Sequence, residues 1–423
     1  MKRKTSPGTV FMLVLTVVVL AAAAIVWARL SSGASVDLSR LKTAALPLKD
    51  PPAETERITD PNSEITNSAA ATVSPKETAT PEPETKKMTV SFTGTVTFDG
   101  EVRKNCYSLD AKAFDYYDIM LPLGRELKAD LNIVFLESIL SETEKASDII
   151  ADASAAAMLK AAGFDMAACG FGKAYEKEGA GIRETRRILE EAGIQSIGTF
   201  ETEQEERFRI VSRNGVRIAF LQYTDTVPAN RRKSMTKQGT GFAVPAPEEE
   251  TLAEDISKAR AMGSDAVIVL MNWGKTGKTP DKTMQTIAMK AADAGADLIV
   301  GNGSRIVSGA ETLTTQDGRK VLCVWSLGAA LSGDRSNIRR LAGMMFEVTV
   351  LTDHGRTAIP DFRFIPLYTW KFKQDGRFYY RCLPAGGTVP DGMDAEQQKA
   401  MKRAAESVRE YMKNTPAEER SVE

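Results

Sequence analysis

Histidine is almost absent from this chain. Its 423 residues include one histidine, His354, which lies in the turn-like sequence Asp353-His354-Gly355. Imidazole is the commonest side-chain ligand for transition metals in proteins and the commonest general base near neutral pH. A chain with one histidine cannot build a His-rich metal site, so enzymes that depend on such a site are excluded.

Cysteine is scarce and scattered. The four cysteines, Cys106, Cys169, Cys323 and Cys382, include no Cys-x-x-Cys pair, which excludes a zinc ribbon. Outside the cytoplasm, cysteines can form disulfides. Cys169 and Cys323 lie in apolar runs that are typical of core strands, and we therefore expect these two residues to be free, buried thiols.

An excess of positive charge is also missing. The chain has 55 lysines and arginines against 56 aspartates and glutamates, a formal net charge of -1. Domains that bind nucleic acid normally carry a basic face. Nucleic acid is therefore not an expected partner.

Residues 31–86 contain no aromatic side chain and are rich in Pro, Thr, Ser, Glu and Ala. A segment of this composition cannot bury enough apolar surface to offset the entropy lost on ordering. We predict that residues 31–86 are a disordered, semi-extended linker.

A long uncharged stretch, residues 9–28, precedes this linker and follows Lys2, Arg3 and Lys4. Twenty helical residues span roughly 30 Å, the thickness of the hydrocarbon core of a bilayer. The basic cluster predicts a cytoplasmic N-terminus and an extracytoplasmic C-terminal domain. The alternative is a cleaved signal peptide, whose apolar region is usually only about 7–15 residues long. We predict a single-pass anchor in the cell membrane.

From Met88 onward, strand-like and helix-like segments alternate. Residues 131–136 (LNIVFL) are typical of a buried strand, residues 147–162 of an alanine-rich helix ended by Gly163, and Asn214-Gly215 of a hairpin turn. The pattern predicts a mixed α/β domain with a substantial antiparallel share. The predicted organisation is a basic tip and anchor (1–30), the linker (31–86), an α/β domain (87–385), and a C-terminal helix and tail (386–423).

The C-terminal helix is predicted over residues 394–413. Asp394 and Gln397 form a plausible capping box, and Met401, Ala404, Val408 and Met412 form a narrow apolar stripe. We expect the helix to dock on its own domain; the alternative is a helix that binds a partner.

Four segments resemble, in order and spacing, those of the CapA-like family of poly-gamma-glutamate capsule-synthesis proteins. They are Lys160 to Asp165 (KAAGFD), Glu190 to Ile194 (EEAGI), Asp293 to Gly301 (DAGADLIVG) and Trp325 to Gly328 (WSLG). That family is similar to the calcineurin-like metallophosphoesterases. The resemblance implies a four-layer α/β/β/α sandwich with a two-metal site at the strand ends.

The metal-ligand positions of that family are substituted in this chain. Its Gly-Asp, Asn-Leu-Glu, Asn-Asn-His, His-Trp-Gly and His-Pro-His correspond here to Gly94-Thr95, Phe135-Leu136-Glu137, Phe171-Gly172-Lys173, Asn272-Trp273-Gly274 and Gly303-Ser304-Arg305. Two divalent cations need bridging carboxylates and several neutral donors. Lys173 and Arg305 would instead bring positive charge, and a like-charge contact at about 4 Å costs roughly 4 kcal/mol at an effective dielectric constant near 20. We therefore expect no metal, no other cofactor and no metal-dependent catalysis.

The substituted positions suggest a site for a different ligand. Lys173 and Arg305 could hold an anion beside Asn272, Asn302 and Trp273. Each has a simpler alternative: ion pairs of the two cations with Glu137 or Glu176, loop caps for the asparagines, and a packing role for the tryptophan. Glu137 is a weak catalytic candidate, and a structural carboxylate is the alternative.

Three functional hypotheses follow. The leading hypothesis is a membrane-tethered, non-catalytic CapA-like protein that binds or organises a cell-envelope polymer or its synthesis machinery. The second is a metal-independent or Mg²⁺-dependent hydrolase or transferase that acts on such a polymer. The third is a structural or sensory ectodomain.

Overall fold

The computed structural model describes residues 85–108, 112–143, 145, 147–278 and 280–422. The predicted anchor at 9–28 and residues 31–84 of the predicted linker (31–86) lie outside the described residues. The linker prediction is wrong at its end, because Lys86 already belongs to the first strand, where it pairs with Thr352. Within the described part of the chain, no helix combines the length and the apolar character needed to cross a membrane.

The strands vary in length from two to nineteen residues. In the first half they are β1 (Lys86–Val96), β2 (Tyr107–Ser108), β3 (Ala113–Phe114), β4 (Leu131–Leu136), β5 (Ile139–Ser141), β6 (Ile150–Asp152), β7 (Met166–Ala168), β8 (Gln195–Ile197), β9 (Phe208–Arg213) and β10 (Val216–Thr224). In the second half they are β11 (Ala266–Asn272), β12 (Leu298–Asn302), β13 (Ala310–Thr314), β14 (Lys320–Val324), β15 (Ala329–Leu331), β16 (Ala342–Asp353), β17 (Arg356–Gln374), β18 (Arg377–Pro384) and β19 (Glu418–Glu419).

The helices lie mainly between the strands. They are α1 (Gly100–Cys106), α2 (Leu121–Gly124), α3 (Ser154–Ala162), α4 (Glu178–Glu191), α5 (Ala229–Lys237), α6 (Glu249–Ala261), α7 (Lys282–Asp293) and α8 (Ala395–Met412), with short 3₁₀ turns at Gly241–Ala243 and Ile338–Arg340. The predicted helix over 147–162 is therefore too long at its start. Residues Ile150–Asp152 form β6 instead, paired with β5, and Gly163 ends α3 in the left-handed conformation (φ 107°) as expected.

Two larger sheets organise the described residues. The nine-stranded sheet has the order β18-β17-β16-β1-β4-β7-β8, with β15 beside β1 and β19 beside β17; the six-stranded sheet has the order β13-β14-β12-β11-β10-β9. The central strands β1, β4, β7 and β8 run parallel, as do β10, β11, β12 and β14. Antiparallel strands complete both sheets, so the predicted mixed α/β class is confirmed. The predicted Asn214-Gly215 hairpin joins β9 to β10.

The largest apolar cluster lies between the two sheets and includes Phe92, Ile133, Phe220 and Ile268 from their facing sides. A second cluster packs α3 and α4 on the outer side of the nine-stranded sheet, and a third packs α6 and α7 on the outer side of the six-stranded sheet. Strands that are covered on both faces explain the nearly continuous apolar runs such as LNIVFL. All four cysteines are buried and free in these clusters, as expected for Cys169 and Cys323, and burial raises the pKa of the Cys169 thiol to about 12.

Gln222 connects the two sheets. Its side chain, in β10, accepts a hydrogen bond from the Gly170 N–H (2.9 Å) and donates one to the Gly170 carbonyl (2.8 Å), just after β7. A Cβ added at Gly198 would lie 1.9 Å from the Gln222 Oε1 atom. The glycine therefore leaves the space that this contact needs.

Helix α8 packs on β16 and β17 through the predicted stripe, since Met401, Ala404, Val408 and Met412 are buried. The predicted capping box is present: Asp394 accepts from the Gln397 N–H, and the Gln397 side chain reaches back to the Asp394 N–H. Docking on the same chain, rather than exposure for a partner, is therefore the observed arrangement of this helix.

Candidate functional site

Polar side chains gather where the parallel strands of both sheets end. Thr95 lies near the end of β1, and Glu137 directly follows its neighbour β4. Asn272 and Asn302 are the last residues of β11 and β12, and they pair in register. Because the carboxyl ends of parallel strands lie at one edge of a sheet, and the two sheets face each other, all four residues come together.

The carboxylate of Glu137 is the centre of this group and is surrounded by hydrogen-bond donors. Its Oε1 atom accepts from Thr95 Oγ1 (3.2 Å) and Asn272 Nδ2 (3.0 Å). Its Oε2 atom accepts from Arg305 Nε (2.9 Å) and Nη2 (2.7 Å). The Glu137 side chain is only 6% exposed, and that of Arg305 is 29% exposed. The pair is therefore a largely buried, charge-assisted contact.

A second set of contacts orients the two asparagines. Thr226 Oγ1 donates to Asn272 Oδ1, which leaves the amide N–H of Asn272 directed at Glu137. Asn302 Nδ2 donates to Thr95 Oγ1 (2.9 Å), and Asn302 Oδ1 accepts from Ser326 Oγ (3.3 Å). The network therefore presents donors to Glu137 and uses the amide oxygens elsewhere.

The loop that carries Arg305 has an unusual backbone. Gly303 (φ 108°) and Arg305 (φ 57°) are both in the left-handed region, which L-residues other than Gly adopt rarely. A Cβ at Gly303 would approach the Trp273 carbonyl oxygen to 2.7 Å. Such strained conformations persist where surrounding contacts hold them. Here the Gly277 N–H donates to the Ser304 carbonyl of this loop, and Val307 pairs with Leu327.

An open cleft of about 970 Å³ lies over this network. Seven acidic side chains line it against four basic ones, which gives the described lining a net negative charge. The acids are Asp99, Glu101, Glu137, Asp148, Asp225, Asp281 and Asp334, and the bases are Lys104, Lys173, Lys275 and Arg305.

Two of these acids have shifted pKa values. Burial, together with the nearby charge of Asp281, raises the pKa of Asp225, and Arg232 opposes the shift. Hydrogen bonding from Ser336, assisted by Arg340 and Arg305, lowers the pKa of Asp334. The cleft therefore contains one carboxyl that holds its proton more readily than usual and one that holds it less readily.

Lys173 and Arg305 lie where an anion site was expected, but only one of the two cations is free to bind an anion. Both residues line the cleft, but the Arg305 guanidinium is bound to Glu137, which is the ion-pair alternative. Lys173 is exposed and makes no side-chain hydrogen bond or ion pair with the described residues. Glu176, its other suggested partner, pairs with Arg231 (3.0 Å).

Trp273 has the packing role that was the alternative to ligand binding. It is fully buried, and its Nε1 atom donates to the Trp325 carbonyl (2.9 Å), so it has no free ring face for a ligand. Asn302 is also fully buried and supports Thr95 rather than lining the cleft. Asn272 lines the cleft, and Glu137 lies at the centre of the network.

Sequence reasoning missed Lys275, Asp281 and Asp334 as lining residues. They stand on loops, where no periodic pattern marks the side chains that turn toward a cleft. Asp281 has a detectable signal as an N-cap, since it accepts from the Met284 N–H, but that signal indicates a helix start and not a site.

The residues at the strand ends do not fit a pair of divalent cations. Metal ions require electron-pair donors, whereas Thr95, Asn272 and Arg305 all point hydrogen atoms at the Glu137 carboxylate. The guanidinium also supplies the positive charge that this carboxylate would otherwise seek from an ion. Among the described residues, no group of three or more His, Cys, Asp or Glu side chains could hold a metal.

The family described as "Bacterial capsule synthesis protein PGA_cap" matches residues 89–334, more than half of the chain. This chain belongs to that family. The capsule biosynthesis protein CapA of Bacillus anthracis is a relative that is 28% identical over 132 residues, 30% of this chain and 31% of the relative. The aligned part thus spans about a third of the relative's length.

Solved structures to which this chain is similar include three bacterial proteins. A hypothetical protein of Thermus thermophilus has 16% identity and a TM-score of 0.37 over 64% of this chain and 97% of its own. A phosphatase of Mycoplasma pneumoniae has 14% identity and a TM-score of 0.39, over 67% of this chain and 95% of its own. The calcineurin-like phosphoesterase YfkN of Bacillus subtilis has 13% identity and a TM-score of 0.38, over 77% of this chain and 100% of its own. All three TM-scores are below 0.5, so the family assignment rests on the sequence match.

Proposed function

We propose that this member of the capsule-synthesis family is a membrane-anchored, extracytoplasmic protein that binds or organises an envelope polymer or its synthesis machinery without catalysing a reaction. The observation that carries the non-catalytic part is the Glu137–Arg305 pair at the centre of the cleft. All its near neighbours donate to the carboxylate, so Glu137 has no free basic lone pair directed at a substrate and no place for a metal. Family membership supports the capsule role.

The proposal of a cleft without metal is tested on the purified full-length chain. We expect Mn, Zn and Fe to be far below one ion per chain by elemental analysis, both as purified and after incubation with each ion followed by desalting. One or more tightly held ions per chain, lost in Glu137→Gln, would contradict the proposal.

The non-catalytic role is tested in cells that lack the chromosomal copy. We expect Glu137→Gln, at a protein level matched to wild type by immunoblot, to restore the same amount of surface polymer as wild type. A catalytic carboxylate would instead show loss of polymer at normal protein level. Deletion of residues 9–28 should abolish restoration, because the proposed protein acts at the membrane, and normal restoration by this variant would contradict the proposed anchor.

The competing enzyme hypothesis makes its own measurable claim. A metal-independent hydrolase or transferase that uses Glu137 should cleave or transfer purified envelope polymer, and Glu137→Gln should lose at least about 100-fold in rate, as is typical for loss of a general acid or base. We expect no turnover by either protein. Turnover by wild type alone would replace the proposed function with the enzymatic one.

A further inference from the structure

The Glu137 network has the features of a preformed binding pocket for a small cation. Its walls are set by strand positions: Asn272 and Asn302 end adjacent strands, and Thr226 and Ser326 fix the orientation of the two amides. None of these contacts depends on the arginine. Truncation of Arg305 should therefore leave the pocket in place, with one buried negative charge.

The loop around Arg305 is anchored separately from its side chain. The Gly277 N–H donates to the Ser304 carbonyl (2.7 Å), Ser304 Oγ donates to the Ile306 carbonyl (3.2 Å), and Val307 pairs with Leu327. The backbone of the loop therefore has its own partners, and the guanidinium occupies the pocket as a ligand would.

The shape of the contact selects a guanidinium over a metal ion. Two neighbouring N–H groups of Arg305 converge on a single oxygen, Glu137 Oε2, and the other oxygen is already taken by Thr95 and Asn272. A planar cation with several N–H donors satisfies this arrangement. A divalent ion would lack electron-pair donors from the surrounding side chains.

We infer that the Glu137 pocket is a guanidinium-binding site whose resident ligand is the chain's own Arg305. The inference rests on the proposed function only in placing the pocket in a non-catalytic cleft. A guanidine-bearing or amine-bearing group that enters the cleft must compete with the guanidinium of Arg305. This group is tethered to the same chain and is therefore present at a high effective concentration. Wild-type protein should therefore show no binding of free guanidinium at low millimolar concentration.

The test is a thermal-unfolding titration of full-length protein with guanidinium chloride from zero to about 20 mM, with sodium chloride at the same ionic strength as the reference. We expect Arg305→Ala to gain a rise in Tm that grows with the logarithm of 1 + [guanidinium]/Kd and reaches about 1–3 °C at 20 mM, for a Kd of about 1–10 mM. Wild type, Arg340→Ala and the double variant Arg305→Ala/Glu137→Gln should show no rise. Arg340 is a suitable control because it lies near the cleft and pairs with Asp334 rather than Glu137.

Arg305→Gln serves as a second variant in case the alanine variant does not fold, since the glutamine amide keeps an NH₂ donor group near Glu137. We expect a rise in Tm of the same logarithmic form, with a higher Kd for guanidinium. No response in either variant, an equal response in wild type, or failure of both to fold even with 20 mM guanidinium present would overturn the inference. A rise with Mn²⁺ but not guanidinium would replace it with a metal pocket. Metal content and turnover of wild type are measured separately from this titration. The proposed function and the guanidinium-site inference can therefore each be contradicted without the other.

Discussion

Glu137 and Arg305 form one ion pair but differ in how much solvent each can reach. The carboxylate is 6% exposed, whereas the guanidinium is 29% exposed and lies on a loop at the cleft. When one partner of a buried pair is removed, the cost is set mainly by the charge that is left behind. The two residues should therefore contribute unequally in single substitutions.

We predict that Arg305→Ala lowers the free energy of unfolding by about 3–5 kcal/mol, because the Glu137 charge is stranded in a buried site. Glu137→Gln should cost less, about 1–2 kcal/mol, because Arg305 can turn to solvent and the amide keeps part of the hydrogen bonding. Urea denaturation measures both. Arg187→Ala, which removes two exposed ion pairs, should change stability by less than about 1 kcal/mol. Equal costs for the two cleft variants would contradict the burial argument.

At the scale of single elements, two side-chain contacts join elements that are separate in the chain: Gln222 joins the two sheets, and Glu205 joins a loop to a helix. Gln222 joins the two sheets through both polar groups of Gly170. Glu205, in the loop before β9, binds Arg186 of α4 through two oxygens and also accepts from the N–H groups of Glu201 and Thr202.

Gln222→Ala should lower the free energy of unfolding by about 3–5 kcal/mol. The truncation leaves a buried N–H and a buried carbonyl of Gly170 without partners, at about 1–3 kcal/mol each, and adds a cavity. Denaturant unfolding gives the value, with Gln374→Ala, an exposed strand-end residue, as the control. A loss below about 1 kcal/mol would mean that water takes over both bonds.

The Glu205 contact makes part of the stability depend on pH. Partial burial by itself would raise the pKa of this carboxyl, but the bonds from Arg186 and the two N–H groups outweigh it and lower the pKa to about 2. A depressed folded-state pKa adds stability that is complete above the unfolded value near 4.5 and is lost as the pH falls toward 2.

We therefore expect Glu205→Gln to remove on the order of 1 kcal/mol at pH 7, after allowance for solvent screening, and to flatten the stability profile between pH 4.5 and 2. Unfolding in urea at a series of pH values measures the profile. Glu203→Gln, two residues earlier and exposed, should leave it unchanged. An unaltered acid slope in Glu205→Gln would show that other carboxyls account for it.

At the scale of the whole molecule, the C-terminal tail joins segments that are far apart in the chain. The Arg420 N–H donates to the Phe364 carbonyl (2.9 Å), beside the pairing of β19 with β17. Its guanidinium donates to Glu126 Oε2 (2.9 Å) and to Glu347 Oε2 (3.1 Å). The side chains of Glu126 and Glu347 are 3% and 12% exposed. The residues after 334, outside the family match, are thus part of the same core.

Arg420→Ala should lower the free energy of unfolding by about 3–5 kcal/mol, because it leaves two nearly buried carboxylates without their shared cation. Adding Glu126→Gln should recover part of the loss by removing one of those charges. Arg363→Ala, which breaks an exposed pair with Asp361, is the control at less than about 1 kcal/mol. The absence of any recovery in the double variant would argue that backbone pairing, rather than charge, is what the arginine supports.

The sequence by itself determined the features that depend on local chemistry. Periodic apolar runs gave the mixed α/β class, Asp394 and Gln397 gave a helix start, and Asn214-Gly215 gave a hairpin, because each works through residues close in the chain. The substituted ligand positions could likewise be recognised without a structure, because the identity of the residue at each position shows whether an imidazole is present.

Only the tertiary structure decided which polar groups face one another. Lys173 and Arg305 are equally cationic in sequence, yet one is exposed and the other is bound to Glu137, 168 residues earlier. Trp273 next to Asn272 has the sequence of a site residue, but its indole turns inward to Trp325. Side-chain direction at a strand end depends on the packing of two sheets and on loop backbone angles, and these are set by contacts between residues far apart in the chain.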